Sequence, residues 1–177
     1  SIRINQMAMW NPWRGCHRYS AGCKFCYIHQ ADRRRGMNTD EIVKTDNFHA
    51  PVLKNKKGDY RMKPGQTVYL GFSTDFLIRE ADPWRGECWD MIRERRDLNF
   101  IFLTKRIERF MECIPGDWAD GYDNVTIGCT VENQDRADFR LPIFNKLPIK
   151  HKNIICQPLL EQVDLAPYLN QIELVVA

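Results

Sequence analysis

From Thr67 to the end of the chain, short apolar runs alternate with stretches of helical spacing, and this alternation limits the fold more than any other feature. TVYLGF (67–72), NFIFLTK (99–105), NVTIGCTV (124–131), KNIICQPLL (152–160) and IELVVA (172–177) are rich in β-branched, aromatic and aliphatic residues and read as strands. Between them, PWRGECWDMIRERRD (83–97) sets Trp84, Cys88, Met91 and Ile92 near helical spacing. RIERFMECI (106–114) reads as a helix stopped by Pro115 and Gly116. NQDRADFRLPIFNKL (133–147) reads as a helix broken at Pro142, and LAPYLNQ (165–171) as a short one. Strand–helix alternation calls for parallel strands joined by crossovers. Nearly continuous apolar strands fit a sheet covered on both faces. A whole or partial (β/α) barrel and a doubly wound open sheet both satisfy this rhythm.

The chain has 177 residues, enough for one core, and no repeat or linker divides it, so a single domain over 1–177 is expected. Residues 39–65 are polar and interrupted by Pro51, Gly58, Pro64 and Gly65; they read as a long loop or insertion with one short strand or hairpin. A makeup of 44% hydrophobic and 28% charged residues excludes disordered and fibrous classes. The net charge of +3 is too mild to indicate nucleic acid by itself. The clusters Arg33, Arg34, Arg35 and Lys54, Lys56, Lys57 read as solvated surface charge. The first ten residues carry no apolar segment flanked by positive charge, and no apolar run nears the ~20 residues that span a bilayer. The expected location is therefore cytoplasmic, with no membrane partner. The sequence stops at Ala177, in or just after a strand, which leads us to expect a truncated C-terminus.

Polar residues gather after successive strands: Ser73, Thr74 and Asp75; Thr104, Lys105 and Arg106; Thr130, Glu132 and Asn133; then Gln157. Each alone reads equally well as a turn or helix cap, with Asn133 suited to cap the helix after it. Four strands ending this way point to a shared pocket at the C-terminal ends of the strands, where α/β folds build their sites.

Seven cysteines are present. Cys88, Cys113, Cys129 and Cys156 are dispersed in apolar or mixed sequence and read as buried free thiols. Cys16, Cys23 and Cys26 instead form C-x6-C-x2-C on a glycine-containing stretch, WNPWRGCHRYSAGCKFCY (10–27). A structural zinc site needs a fourth ligand, and His29, three residues past Cys26, is the nearest plausible one. A [4Fe–4S] cluster held by three cysteines leaves one iron open to bind a further ligand. The open iron–sulfur site ranks first, zinc second, and redundant thiols third. Gly15 and Gly22 each precede a candidate ligand, where amides must approach sulfur or the turn needs unusual φ.

WNPWRGC followed by SAGCKFCY resembles the signature of a bacterial and phage family of undefined function known for a three-cysteine motif. Further landmarks follow in order: Ser73 and Asp75, T-K-R at 104–106, V-E-N-Q at 131–134 and P-L-L at 158–160. That family in turn resembles radical S-adenosylmethionine enzymes. The resemblance implies a partial (β/α)6 TIM-like barrel of parallel strands, truncated at its C-terminus. It implies a [4Fe–4S] cluster on Cys16, Cys23 and Cys26, with S-adenosylmethionine as the second cofactor. Reductive cleavage of that cofactor would start radical chemistry on an unknown substrate, with electrons from a donor such as a flavodoxin or ferredoxin.

Candidate cofactor contacts follow from the same resemblance. Tyr27 matches an aromatic near the adenine. Ser73 and Asp75 are candidates for the methionine ammonium or carboxylate, Thr130 and Glu132 for the ribose, and Gln157 for adenine or substrate. Lys105 and Arg106 are candidates for a carboxylate or phosphate. Two departures stand out. The common radical-enzyme spacing is C-x3-C-x2-C, and the family's glycine-rich segment after the last strand is missing from this sequence. The rival class is a non-catalytic zinc- or iron-stabilised module that binds nucleic acid or a partner.

Overall fold

The computed structural model describes residues 6–177. The strands are β1 (Met7–Trp10), β2 (Trp13–Arg14), β3 (Val43–Lys44), β4 (Thr67–Leu70), β5 (Asn99–Thr104), β6 (Val125–Thr130), β7 (His151–Ile155) and β8 (Ile172–Val176). The helices are α1 (Tyr27–Arg34), α2 (Asp82–Glu94), α3 (Phe110–Cys113) and α4 (Gln134–Lys146). Six strands form one all-parallel sheet in the order β1-β4-β5-β6-β7-β8, and β2 pairs antiparallel with β3 beside it. Each sheet strand thus lies next to its predecessor, without the reversal of direction that defines a doubly wound sheet. Every connection therefore steps in the same direction across the sheet. The sheet is open, with β1 and β8 at its edges.

All five strands expected from Thr67 onward are present, with tighter ends. The strand Met7–Trp10 had no clear sequence signal: Met7 and Met9 are exposed, and its extended form is fixed by pairing with β4, Met7 opposite Thr67 through Trp10 opposite Leu70. Residues 106–114 are not one helix but a 3-10 turn at Ile107–Arg109 running into α3. α4 is not broken at Pro142; it continues to Lys146. The proline removes one internal donor, and the carbonyl left over belongs to Asp138, a solvent-exposed residue. Ala137, Arg140, Leu141 and Phe144 bury the opposite face and hold the helix together through the defect.

The core is strongly aromatic. Trp13 stacks on Phe76 at 5.4 Å, Phe76 meets Phe102 at 4.8 Å, and Trp89 meets Trp118 at 5.3 Å. α2 starts with Asp82 and Pro83 in its first turn and buries Arg85, Cys88, Trp89, Met91 and Ile92. Residues 39–65 hold β3, a 3-10 turn at Ala50–Val52 and an antiparallel bridge between Lys54 and Tyr60. They are not loose. Fully buried Arg95 donates to the carbonyls of Pro51 and Met62, and the Trp10 indole donates to the Phe48 carbonyl. Among the described residues, no helix is long and apolar enough to cross a membrane.

Candidate functional site

The chain leaves β1 at buried Trp10 and enters the β2–β3 ribbon, which anchors the cysteine stretch at both ends. Gly15 turns the chain with φ of +93°, and a Cβ there would fall 2.2 Å from the Glu41 carbonyl oxygen, so only glycine fits. The Cys16 amide then donates to Thr39, and the Thr74 hydroxyl donates to the Gly15 carbonyl. These bonds tie the loop to the insertion and to the end of β4.

Cys23 lies inside a 3-10 turn at Ala21–Phe25, and Cys26 follows it directly. Side chains three apart eclipse in a 3-10 turn, so C-x2-C brings both thiols to one side. Gly22 is the point of close approach: a Cβ there would sit 3.1 Å from the Glu132 side chain, below ordinary contact distance.

Cys16, Cys23 and Cys26 line one cavity of about 500 Å³. Its other walls are the C-terminal ends of β4 to β7, with Asp75, Thr104, Lys105, Arg106, Thr130 and Gln157, and aromatic residues Phe25, Tyr27 and Phe72. The expectation of a pocket at the strand ends therefore holds. Cys88, Cys113, Cys129 and Cys156 are buried and do not line it. His29 does line it; among the described residues no group of three or more His, Cys, Asp or Glu side chains, the three cysteines included, is arranged to hold a metal ion.

The expected contact residues divide into two sets. Tyr27, Asp75, Thr130 and Gln157 line the cavity. Tyr27 is largely exposed, and its hydroxyl donates to the Phe72 carbonyl. Ser73 and Glu132 do not line it. The Ser73 amide donates to the Asn11 side chain. Glu132 is fully buried in an ion pair with equally buried Arg140 at 2.8 Å. Burial opposes the Glu132 charge, yet the nearby Ser20 hydroxyl, Arg140 and Lys105 together hold its carboxyl below the usual range. Glu132 thus braces the underside of the cysteine turn. Asn133 caps α4, accepting from the Arg136 amide, as the sequence indicated.

Asp75 is the organiser of the floor. Its buried carboxylate accepts from the Leu77 amide, the Thr104 hydroxyl at 2.8 Å, the Lys105 amide and Arg106 at 3.0 Å. Four donors compensate a charge that would otherwise be costly to bury. Arg106 extends the link to the loop, donating to the His17 carbonyl and lying 3.8 Å from the Cys16 sulfur.

The thiols differ in their surroundings. Burial, reinforced by the Asp75 charge and only partly offset by Arg106, pushes the Cys16 thiol up to about 12. Burial also acts on Cys23, but the amides of Tyr19 and Ser20 and the Lys105 ammonium outweigh it and draw that thiol below its ordinary value. The Tyr19 amide is 3.3 Å from the Cys23 sulfur and the Lys105 ammonium 3.5 Å. Lys105 forms no ion pair among the described residues.

The match to a family model extends over residues 3–177, almost the whole chain. The chain belongs to the family described as Protein of unknown function (DUF5131). Membership in a family of undefined function agrees with the coarse form of the resemblance seen in the sequence. The matched span takes in the cysteine loop and every strand end of the DUF5131 cavity. No curated protein and no solved structure matches the chain.

Proposed function

We propose that the DUF5131 cavity is the cofactor site of a radical S-adenosylmethionine enzyme, with Cys16, Cys23 and Cys26 as the ligands of a [4Fe–4S] cluster. The observation that carries the reading is that these three thiols, and no fourth cysteine, line one cavity at the C-terminal end of a parallel sheet. The surroundings of Cys23 support the assignment. A backbone amide and an ammonium already face the Cys23 sulfur, as they do around metal-bound thiolates whose potential is tuned by hydrogen bonds. When bound, the cluster would supply an electron through its open iron to S-adenosylmethionine and so start radical chemistry on a substrate.

The chain's own residues hold and shield. Gly15 and Gly22 let the loop fold tightly under the thiols, and Trp13 anchors its base in the core. Asp75 fixes Arg106 and the Lys105 amide, so that two cations face the sulfurs from the end of β5. Thr130, Gln157 and Tyr27 line the remaining walls and would contact the second cofactor. The sheet, with consecutive strand order and all connections in one direction, supports the finer reading of a partial (β/α)6 barrel. An external electron donor of the flavodoxin or ferredoxin kind and a reducing, cytoplasmic setting complete the proposal.

The test is anaerobic incubation of the iron-loaded protein with reductant and S-adenosylmethionine. Formation of 5′-deoxyadenosine is the expected result, lost in Cys26→Ala. An iron-loaded protein that binds the cofactor but never cleaves it contradicts the enzymatic reading.

A further inference from the structure

The chain's positive charge is not spread evenly. Residues 13–36 contain six cations, Arg14, Arg18, Lys24, Arg33, Arg34 and Arg35, and one carboxylate, Asp32. That local surplus of five exceeds the +3 of the whole chain, so the remaining residues are net acidic. Asp32 is buried, whereas all the cations but Arg14 are exposed. None of the five exposed cations forms an ion pair among the described residues; the exposed carboxylate of Asp40 lies against His17 at 3.8 Å.

The same segment exposes three aromatic rings: Tyr19 at 39%, Phe25 at 54% and Tyr27 at 63%. Phe25 and Tyr27 form part of the cavity rim, and the Lys24 ammonium lies 5.9 Å from the Phe25 ring centre. His29 lines the cavity as well, so the segment that carries these charges also forms part of its rim. Exposed rings interleaved with unpaired cations along a groove are the combination that single-stranded nucleic acid requires: stacking platforms for bases and point charges for phosphates.

We infer that the cysteine loop and α1 form a single-stranded nucleic-acid-binding rim around the cavity. A base stacks on Phe25, and the phosphates run across Arg18, Lys24 and the arginines at the end of α1. This rests on the proposed function only in making a nucleotide the substrate at the cavity mouth; binding itself needs no cluster. An acidic peptide offers charge without faces to stack, and a lipid surface offers no discrete base.

The test is fluorescence anisotropy of the full chain with labelled single-stranded DNA and RNA 12-mers across a salt series, with iron content measured on the same samples. Five phosphate contacts predict a log–log salt slope near about −3.5, at roughly 0.7 per contact for single strands. Changing Arg33, Arg34 and Arg35 together to Gln should flatten the slope by about 2. Phe25→Ala should weaken binding about tenfold, the low end of one lost base stack. Changing Lys54, Lys56 and Lys57 to Gln should leave affinity within about twofold, since that cluster is exposed on the insertion. Thermal melts of each variant exclude misfolding. Preferred binding of DNA over RNA or the reverse supports the inference and identifies the strand. No binding at low salt, equal loss from the lysine variant, or binding of phosphatidylserine vesicles in place of oligonucleotides overturns it. Iron loading without oligonucleotide binding would sink this inference and leave the cluster assignment standing.

Discussion

Cys23, on the loop after β1, and Cys129, in the middle of the sheet, are both buried, yet their sulfurs meet opposite surroundings. Cys129 has only desolvation of consequence around it, and its thiol is driven far upward. Cys88 is in the same position on α2. Around Cys23, two amides and an ammonium reverse the effect of burial. The difference teaches that burial alone does not set the acidity of a thiol. The donors aimed at the sulfur do, and on this loop they come from a 3-10 turn and from the residue after β5.

The largest expected effect breaks the comparison outright. Cys23→Ala should abolish iron loading, while Cys129→Ala keeps the full complement and costs only about 1 kcal/mol of stability through a small cavity. Metal analysis of the two variants, purified alike, checks this; full iron in Cys23→Ala removes that residue from the ligand set. Next is the brace beneath the turn. Glu132→Gln leaves buried Arg140 without its counter-charge, a change that costs about 3–5 kcal/mol and is read directly in denaturant melts.

A smaller effect sharpens the role of the ammonium. In cluster-loaded protein, Lys105→Met should make the midpoint potential more negative by on the order of 60 mV, the one-electron equivalent of about 1.4 kcal/mol. An unchanged redox titration with full iron would show that the 3.5 Å contact does not tune the site. Smallest is a pH effect that the packing thiols share with Cys16. Burial raises the thiols of Cys88, Cys113, Cys129 and Cys156 in the folded chain. Above pH ~8.5 the unfolded chain loses those protons and the folded chain keeps them, so stability falls as pH rises, by up to ~1.4 kcal/mol per unit for each thiol. Cys129→Ala should lessen that slope between pH 9 and 10, measured by urea melts at each pH.

Much of this arrangement can be read from the chain because parallel strands are continuous apolar runs and their ends collect polar residues. The pocket walls at Asp75, Thr104, Arg106 and Thr130 are legible for that reason. Which way an end residue faces is not, because the strand's two-residue period stops there. Glu132 turns inward to Arg140, whose own burial on α4 no local pattern announces. β1 escapes notice because its exposed methionines carry no alternation, and only β4 makes it a strand. α4 survives Pro142 because tertiary packing outweighs one missing hydrogen bond. The mild net charge conceals its concentration on residues 13–36, which becomes meaningful only when exposure separates the buried carboxylate from the free arginines.

The most direct test of the central claim is quantitation of iron, labile sulfide and zinc in protein purified without oxygen. About four irons and four sulfides per chain are predicted, with less than one in each of the Cys16→Ala, Cys23→Ala and Cys26→Ala variants. Stoichiometric zinc with no labile sulfide would contradict the account.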